Sequence, residues 1–359
     1  MGLPVLAFMA WLCWPAKKVA TSQSAPTTTN QNVPLRTHTV AILPRSSASS
    51  NVVASISSAP SAVGNEPPIR AAFVPRRPTN VFEVQIALAC QAISPGSLDG
   101  VMGSQTRAAI RAFQERESLP VTGDWDRLTA DRLILNEPPE RVYTVTSNDV
   151  TRLTNVGRTW LAKSAQKRLG FESVLELVAE QGRAYPSVIR SLNPSVEWAN
   201  IVVGDAVTIP NVEYPPVRSK ASLIRIHLAG RVLQAFDHDR KLLAHFPCSI
   251  ARQIEKRPIG QLAVEEIVLN PSYRFDPTNF PESAEAQELG RKLLIPAGPN
   301  NPVGTAWIGL NRSGYGIHGT PQPEDVGRTE SHGCFRLANW NVEYLAQLVK
   351  PGTPVMVEP

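Results

Sequence analysis

Two hydrophobic periods divide the folded part of the chain. Between residues 80 and 136, apolar positions recur at the three- and four-residue spacing of helices, with glycine-bearing turns between them. From residue 221 the spacing falls to two, and a turn at 229–230 separates two alternating runs, which predicts a β-hairpin. Residues 141–212 have strand-like ends and a helical middle. The pattern predicts a multidomain fold with a small all-α unit, an α+β segment and a mainly-β domain over 221–359.

The region before residue 80 has no such period. Residues 20–79 are rich in Ser, Thr, Ala, Asn and Pro, which predicts a disordered linker. Residues 1–19 contain an apolar run at 3–14, which is too short to span a bilayer comfortably, because a spanning helix needs about 20 residues. They suit an export signal or a membrane-proximal segment, although Lys17 and Lys18 follow the apolar run instead of preceding it. Cleavage, lipidation at Cys13 and a start further upstream all stay open.

Charge and cysteine content narrow the class of partner. The formal net charge is +5 at pH 7, which favours an acidic partner. No Lys/Arg stripe with interleaved aromatic residues is present, which argues against nucleic acid. The four cysteines are scattered without a Cys-x-x-Cys pair, so neither a disulfide framework nor a zinc ribbon is indicated. Cys90 and Cys248 lie in apolar runs and are predicted to be small buried hydrophobes.

The candidate chemistry is concentrated near the C-terminus. The run Tyr315-Gly316-Ile317-His318-Gly319-Thr320 is followed by Ser331-His332-Gly333-Cys334-Phe335-Arg336-Leu337-Ala338-Asn339. Acyl transfer by a cysteine needs a thiolate, a base and amide donors that face the developing oxyanion. His318 can serve as the base, Cys334 as the nucleophile, and the amides of Gly333 and Cys334 as the donors. The positive charges of Arg336 and His332 are expected to favour the thiolate.

These two runs resemble the signature of the L,D-transpeptidase catalytic domain of bacterial cell-wall enzymes. Further likeness lies in Pro258-Ile259-Gly260, in 299–304 and in 307–310, whereas Arg257 stands where the family usually has threonine. The resemblance implies that the Gly319 carbonyl orients His318, and that His332 belongs to the catalytic loop. It also implies substrate-binding positions, which are Ser331, Arg336, Asn339, Tyr315 and Trp307.

Metal-binding, redox and purely structural roles explain the same residues less well than acyl transfer does. Zinc binding by His318, His332 and Cys334 needs a fourth ligand, and none stands at a familiar spacing. A redox role needs a resolving cysteine, for which Cys248 is distant. His227 is predicted to be a half-exposed strand residue. We therefore expect neither a metal nor a cofactor.

The two upstream units also resemble wall-associated modules. Residues 80–136 look like a three-helix peptidoglycan-binding domain, on the strings Leu98–Thr106, Phe113-Gln114 and Leu119–Gly123. The ends of 141–212 resemble a lysin-motif domain, which binds N-acetylglucosamine polymers, but the middle is longer than that module allows. A structural spacer is the alternative.

The combined resemblance implies an exported enzyme of the periplasm or cell wall. Its cysteine would form an acyl-enzyme with a peptidoglycan stem peptide, release D-alanine, and pass the acyl group to an amine to give a 3→3 cross-link. An outer-membrane lipoprotein is a further candidate acceptor. The alternatives are L,D-carboxypeptidase or exchange activity, and a non-catalytic wall-binding scaffold.

Overall fold

The computed structural model describes residues 73–329, 331 and 333–359. The predicted export segment, Cys13, most of the predicted linker and His332 lie outside these residues. The linker was predicted to reach residue 79, and this boundary is wrong, because residues 73–79 belong to the folded unit. The backbones of Arg76 and Leu135 pair with each other, and the Arg76 guanidinium lies 2.7 Å from the Glu83 carboxylate.

The first folded region contains the three helices that the resemblance to a peptidoglycan-binding domain implies. They are α1 (Val81–Ala89), α2 (Ser104–Arg116) and α3 (Arg127–Arg132). Asn80 and Asp126 cap α1 and α3 by accepting hydrogen bonds from backbone N–H groups of the first turn. The helices bury a shared apolar face that includes Val84, Ile110 and Phe113. The predicted all-α unit is thus present.

The next region begins and ends with strands that pair with each other. In chain order its elements are β1 (Glu140–Thr144), α4 (Ser147–Thr151), α5 (Trp160–Ser164), α6 (Val174–Gly182), α7 (Pro186–Leu192) and β2 (Ala206–Pro210). β1 and β2 are antiparallel, from Glu140 opposite Pro210 to Thr144 opposite Ala206. Residues 152–173, which we call the insert, separate α4 from α6 and contain α5. They form part of the middle of this region, which is longer than a lysin-motif domain allows.

The C-terminal region is built on one eight-stranded mixed sheet. Its strands are β3 (Leu223–His227), β4 (Val232–Phe236), β5 (Leu242–Pro247), β6 (Gly260–Leu269), β9 (Ala306–Leu310), β10 (Gly316–His318), β11 (Phe335–Arg336) and β12 (Pro354–Glu358). The order across the sheet is β11-β10-β9-β6-β12-β3-β4-β5. The predicted hairpin is present, with Leu223 opposite Phe236 in an antiparallel pair. The alternating runs form strands because one face buries Ile224, Leu233 and Val355.

Helix α9 (Asn339–Leu348) packs on this sheet and completes the core. Its side chains Val342, Leu345 and Leu348 join the same apolar cluster as the strands. Cys248 is fully buried in that cluster, as its apolar surroundings predict, and burial raises the pKa of its thiol well above the usual range. Cys90 is only half-buried, at the end of α1.

A smaller substructure leaves the main sheet between β6 and β9. It consists of β7 (Tyr273–Phe275), α8 (Ala284–Leu289) and β8 (Leu293–Ile295), with β7 and β8 paired antiparallel. We call residues 271–297 the flap. Its apolar side chains form a third core that is separate from that of the main sheet.

The helical unit is packed against the rest of the folded chain. One apolar core continues from α1 and α2 into α6 and β2. A backbone bridge joins Ile93 to His245 of β5, and Arg328 lies 3.4 Å from Asp99. Within the part of the chain that the structure describes, no helix is long and apolar enough to cross a membrane.

Candidate active site

A cavity of about 420 Å³ lies at the C-terminal end of β10 and at the loop that precedes β11. Residues from five separate stretches of sequence line it, and His318 and Cys334 are both among them. The lining residues are Trp160, Lys256, Tyr273, Arg274, Asn279, Phe280, Pro302, Val303, Trp307, Gly314, His318, Ser331, Gly333, Cys334 and Arg336. The structure thus brings the predicted base and nucleophile to one cavity.

His318 ends β10 and has its ring orientation fixed by the next residue. Its Nδ1 donates a hydrogen bond to the Gly319 carbonyl oxygen at 2.6 Å, which leaves Nε2 as the acceptor nitrogen. Burial lowers the pKa of His318 to about 4, opposed by the Gly319 carbonyl and assisted by the charge of Arg336. The imidazole is therefore neutral at pH 7, as a general base has to be.

Trp307 holds the other face of this imidazole. The two rings are stacked, with centroids 5.8 Å apart and planes inclined by 20°. Trp307 lies opposite His318 in the β9–β10 pair, so strand register produces the contact. The indole also crosses Gly316, where an added Cβ would lie 2.5 Å from the ring. Only glycine at 316 leaves room for this arrangement.

Cys334 is half-buried in the cavity wall, and its thiol is further from ionisation than the sequence suggested. Its Sγ lies 3.5 Å from the Gly314 carbonyl oxygen, the acceptor for the thiol proton. Burial raises the pKa of Cys334, although a hydrogen bond from Gly316 and the charge of Arg336 act in the opposite direction. The expected effect of Arg336 has the right sign, but desolvation outweighs it.

Ser331 organises the turn that carries Cys334. Its hydroxyl donates to the Cys334 carbonyl at 2.6 Å and accepts from the Gly333 N–H at 3.3 Å. Ser331 is 7% exposed, so its contribution is mainly to hold the turn. An added Cβ on Gly333 would meet nothing within 4 Å, which means that this side of the turn faces open space.

Asn339 is not among the described residues that line the cavity, and its place among the substrate contacts stays a prediction. It is 1% exposed, accepts from the Thr305 N–H at 3.1 Å and donates to the Pro299 carbonyl at 3.3 Å. Added Cβ atoms on Gly304 and Gly319 would lie 2.1 and 2.3 Å from its Oδ1. Asn339 is buried between two loops, and it explains why the residue after His318 is glycine.

Tyr315 is also absent from the described residues that line the cavity. Its ring packs against the main core and under the Arg312 guanidinium, whose Cζ lies 4.7 Å from the ring centroid. Its contact with substrate stays a prediction. Arg336 does line the cavity, next to His318 in the parallel β10–β11 pair. His332 lies outside the described residues.

The sequence did not indicate most of the wall that faces Cys334. Lys256 comes from the loop before β6, and the neighbouring Arg257 instead donates to the Ala251 and Arg252 carbonyls. Arg274 and Phe280 come from the flap, and Trp160 comes from the insert. In this loop the sequence singled out Arg257, because it departs from the family pattern. The residue that lines the cavity is the preceding one, Lys256.

Comparisons with known proteins agree with this geometry. Residues 221–357 match the family model of the L,D-transpeptidase catalytic domain, YkuD, and residues 77–133 match that of a peptidoglycan binding domain. A Bacillus licheniformis protein named as an L,D-transpeptidase, YkuD, is 27% identical over 188 residues, which cover 52% of this chain and 93% of that protein. The ErfK/SrfK protein of Escherichia coli, also named as an L,D-transpeptidase, is 28% identical over 50% of this chain and 57% of its own length.

A solved structure titled as an L,D-transpeptidase from Mycobacterium smegmatis is similar over 44% of this chain and 65% of that chain, with a TM-score of 0.31 and 18% identity. The match to the catalytic-domain model covers residues 221–357, which include His318, Cys334 and every described lining residue of the cavity except Trp160. Residues 221–357 are therefore an L,D-transpeptidase catalytic domain, of a family of cysteine-dependent acyltransferases, and the chain joins it to a peptidoglycan-binding domain at residues 77–133.

Proposed function

We propose that this protein forms 3→3 peptidoglycan cross-links through an acyl-enzyme on Cys334. The observation that carries the proposal is the placement of His318 and Cys334 in one cavity within the matched catalytic domain. The peptidoglycan-binding domain on the same chain supports the wall as the substrate and an extracytoplasmic place of action. Binding of glycan by residues 141–212, an outer-membrane lipoprotein acceptor and a membrane tether stay predictions.

The first step is attack of the Cys334 sulfur on the carbonyl carbon of the third residue of a stem tetrapeptide. Because the His318 imidazole is neutral and the thiol is protonated at pH 7, His318 Nε2 takes the thiol proton as the carbon–sulfur bond forms. The tetrahedral intermediate then collapses. The C–N bond to D-alanine breaks, and His318 returns the proton to the leaving amine.

The second step reverses these roles. The amine of a second stem peptide attacks the thioester, His318 accepts a proton from that amine, and Cys334 leaves as the thiolate and is reprotonated. The amide donors for both tetrahedral oxyanions are the N–H groups of Gly333 and Cys334. The Gly333 N–H is 3.3 Å from the Ser331 hydroxyl, a long hydrogen bond that a negatively charged oxygen can replace.

The charges around the cavity favour a substrate that carries carboxylates. Lys256, Arg274 and Arg336 line the cavity, and none of the described lining residues is acidic. Lys256 and Arg274 are exposed and have no ion-pair partner among the described residues. Two charged donors that are free to bind a ligand suit the carboxylates of a stem peptide, since N–H⁺···O⁻ hydrogen bonds are the stronger class.

Incubation of the full chain with a disaccharide-tetrapeptide tests the proposal. We expect a cross-linked dimer and an equal amount of free D-alanine, and neither product with Cys334→Ala. Cys248→Ala is the matched control, because Cys248 is fully buried in the main core and away from the cavity. Mass spectrometry after exposure to a carbapenem should show one adduct that Cys334→Ala lacks and Cys248→Ala keeps.

The outcomes separate the alternatives. D-alanine without a dimer would show that water is the acceptor and that the enzyme is an L,D-carboxypeptidase. Exchange of the terminal residue for an added D-amino acid would show exchange activity. Absence of both the adduct and any product in the wild type would indicate a wall-binding scaffold.

A further inference from the structure

One residue that lines the cavity comes from outside the catalytic domain. Trp160, on helix α5 of the insert, lines the cavity together with Tyr273 and Phe280 of the flap. Its ring stacks on Phe275, with centroids 4.3 Å apart and planes inclined by 23°. Trp160 therefore both contacts the flap and lines the cavity.

The other aromatic contacts make Trp160 the shared neighbour of the flap rings. The centroid of Trp160 lies 5.4 Å from that of Phe280 and 6.2 Å from that of Tyr273. Phe275 and Phe280 are also stacked on each other, at 5.4 Å. Aromatic pairs at such distances stabilise a fold beyond the contribution of the apolar area that they bury. Three of these pairs share the Trp160 ring.

The backbone of the insert is fastened to the end of the flap. The Leu169 N–H donates to the Ala297 carbonyl at 2.9 Å, and the Asn300 N–H donates to the Leu169 carbonyl at 3.1 Å. Gly298 has φ +143°, and an added Cβ there would lie 2.0 Å from the Leu169 carbonyl oxygen. A close approach of the two chains at this point requires glycine.

Apolar burial joins the two segments in the third core. Val156 and Leu169 of the insert are buried together with Phe275, Ala286 and Ile295 of the flap, each 6% exposed or less. The described residues of this core include none from the main sheet. The flap therefore takes its buried apolar partners from the insert.

We propose that Trp160 is a positioning residue of the transferase site: it sets where Tyr273 and Phe280 stand across the cavity from Cys334. The proposal deepens the proposed function and rests on it for the identity of the substrate. Trp160 acts through the flap, while His318, Gly319 and Cys334 are held by the main sheet and its loops. Removal of the Trp160 ring should weaken the hold on the stem peptide and leave the proton transfer in place.

Steady-state kinetics of D-alanine release by the full chain test this division. We expect Trp160→Ala to raise KM about tenfold and to change kcat by less than about threefold, because the flap holds the stem peptide equally in the ground state and the transition state. Trp160→Phe keeps a stacking ring and should restore KM to within about twofold of the wild type. Leu161→Ala is the matched control, since Leu161 is the next residue on α5 and is 48% exposed.

Hydrogen–deuterium exchange supplies a readout that does not depend on the substrate. In Trp160→Ala, amides of residues 271–297 should exchange faster, while those of β9 and β10 should be unchanged. If the alanine variant does not fold, Trp160→Leu takes its place, because leucine keeps apolar volume without a ring to stack.

Two results would overturn the proposal. One is a KM in Trp160→Ala or Trp160→Leu within twofold of the wild type. The other is flap exchange that matches the wild type. If the wild type makes no product at all, the proposed function fails, and the exchange experiment still reports whether Trp160 holds the flap.

Discussion

The two walls of the cavity differ in how they are assembled. The wall with His318 and Cys334 comes from residues 314–336, and its main supports are local, such as the Gly319 carbonyl on His318 and the Ser331 hydroxyl on the Cys334 turn. The opposite wall combines Trp160 of the insert with the flap, across more than a hundred residues of sequence. The first wall carries the chemical groups and Arg336, and the second carries aromatic rings and Arg274.

A short sequence motif can describe only the first of these two walls. A motif fixes the types and spacing of residues whose partners are their own chain neighbours. It says nothing of a wall whose partners lie in another domain. The comparison predicts that changes in the first wall act on the rate of the chemical step, whereas changes in the second act on stability and substrate binding.

The largest effect should come from the motif wall. His318→Gln removes the base but keeps an amide able to form hydrogen bonds, so kcat/KM should fall about 10²- to 10⁴-fold. The measurement is D-alanine release at pH 7. His227→Gln is the control, because His227 is a half-exposed residue of β3 that lies 3.1 Å from Glu358. A decrease in kcat/KM of less than tenfold in His318→Gln would contradict the assignment of the chemical step to the first wall.

The next effect should come from the aromatic wall and should appear in stability. Phe275 is fully buried in the third core, and Phe275→Ala should lower the free energy of unfolding of this region by about 3–5 kcal/mol. The measurement is denaturant-dependent hydrogen exchange of the flap amides. Leu294→Ala, in the neighbouring strand β8, is the matched control because Leu294 is 59% exposed. Equal effects of the two substitutions would show that the third core does not hold the flap.

The smallest effect concerns the pH dependence of acylation by a carbapenem. The neutral base disappears as pH falls through the pKa of His318, which burial lowers to about 4. Between pH 7 and pH 5 the rate should therefore fall less than about twofold, whereas an ordinary histidine pKa near 6.5 would give a fall of about 25-fold. Stopped-flow measurement of adduct formation checks this. An acid limb centred near pH 6.5 would contradict the described burial of His318.

Local sequence patterns are enough to predict several helices and strands and to identify the catalytic motif. Periodicity located the helical unit and the β-hairpin at 223–236, because burial of one face repeats at the spacing of each element. The motif located His318 and Cys334, because the turn and strand that carry them are short and use neighbouring residues.

The residues that face His318 and Cys334 across the cavity depend on how distant segments pack, which the sequence pattern does not show. Periodicity shows that Trp160 or Phe275 is apolar, but it does not show which distant segment covers it. Asn339 has the chemistry of a substrate contact, and only its burial between the loops of Gly304 and Gly319 shows that its amide is used inside the protein. The raised pKa of Cys334 likewise depends on burial, which is a property of the whole packed site and cannot be summed from nearby charges.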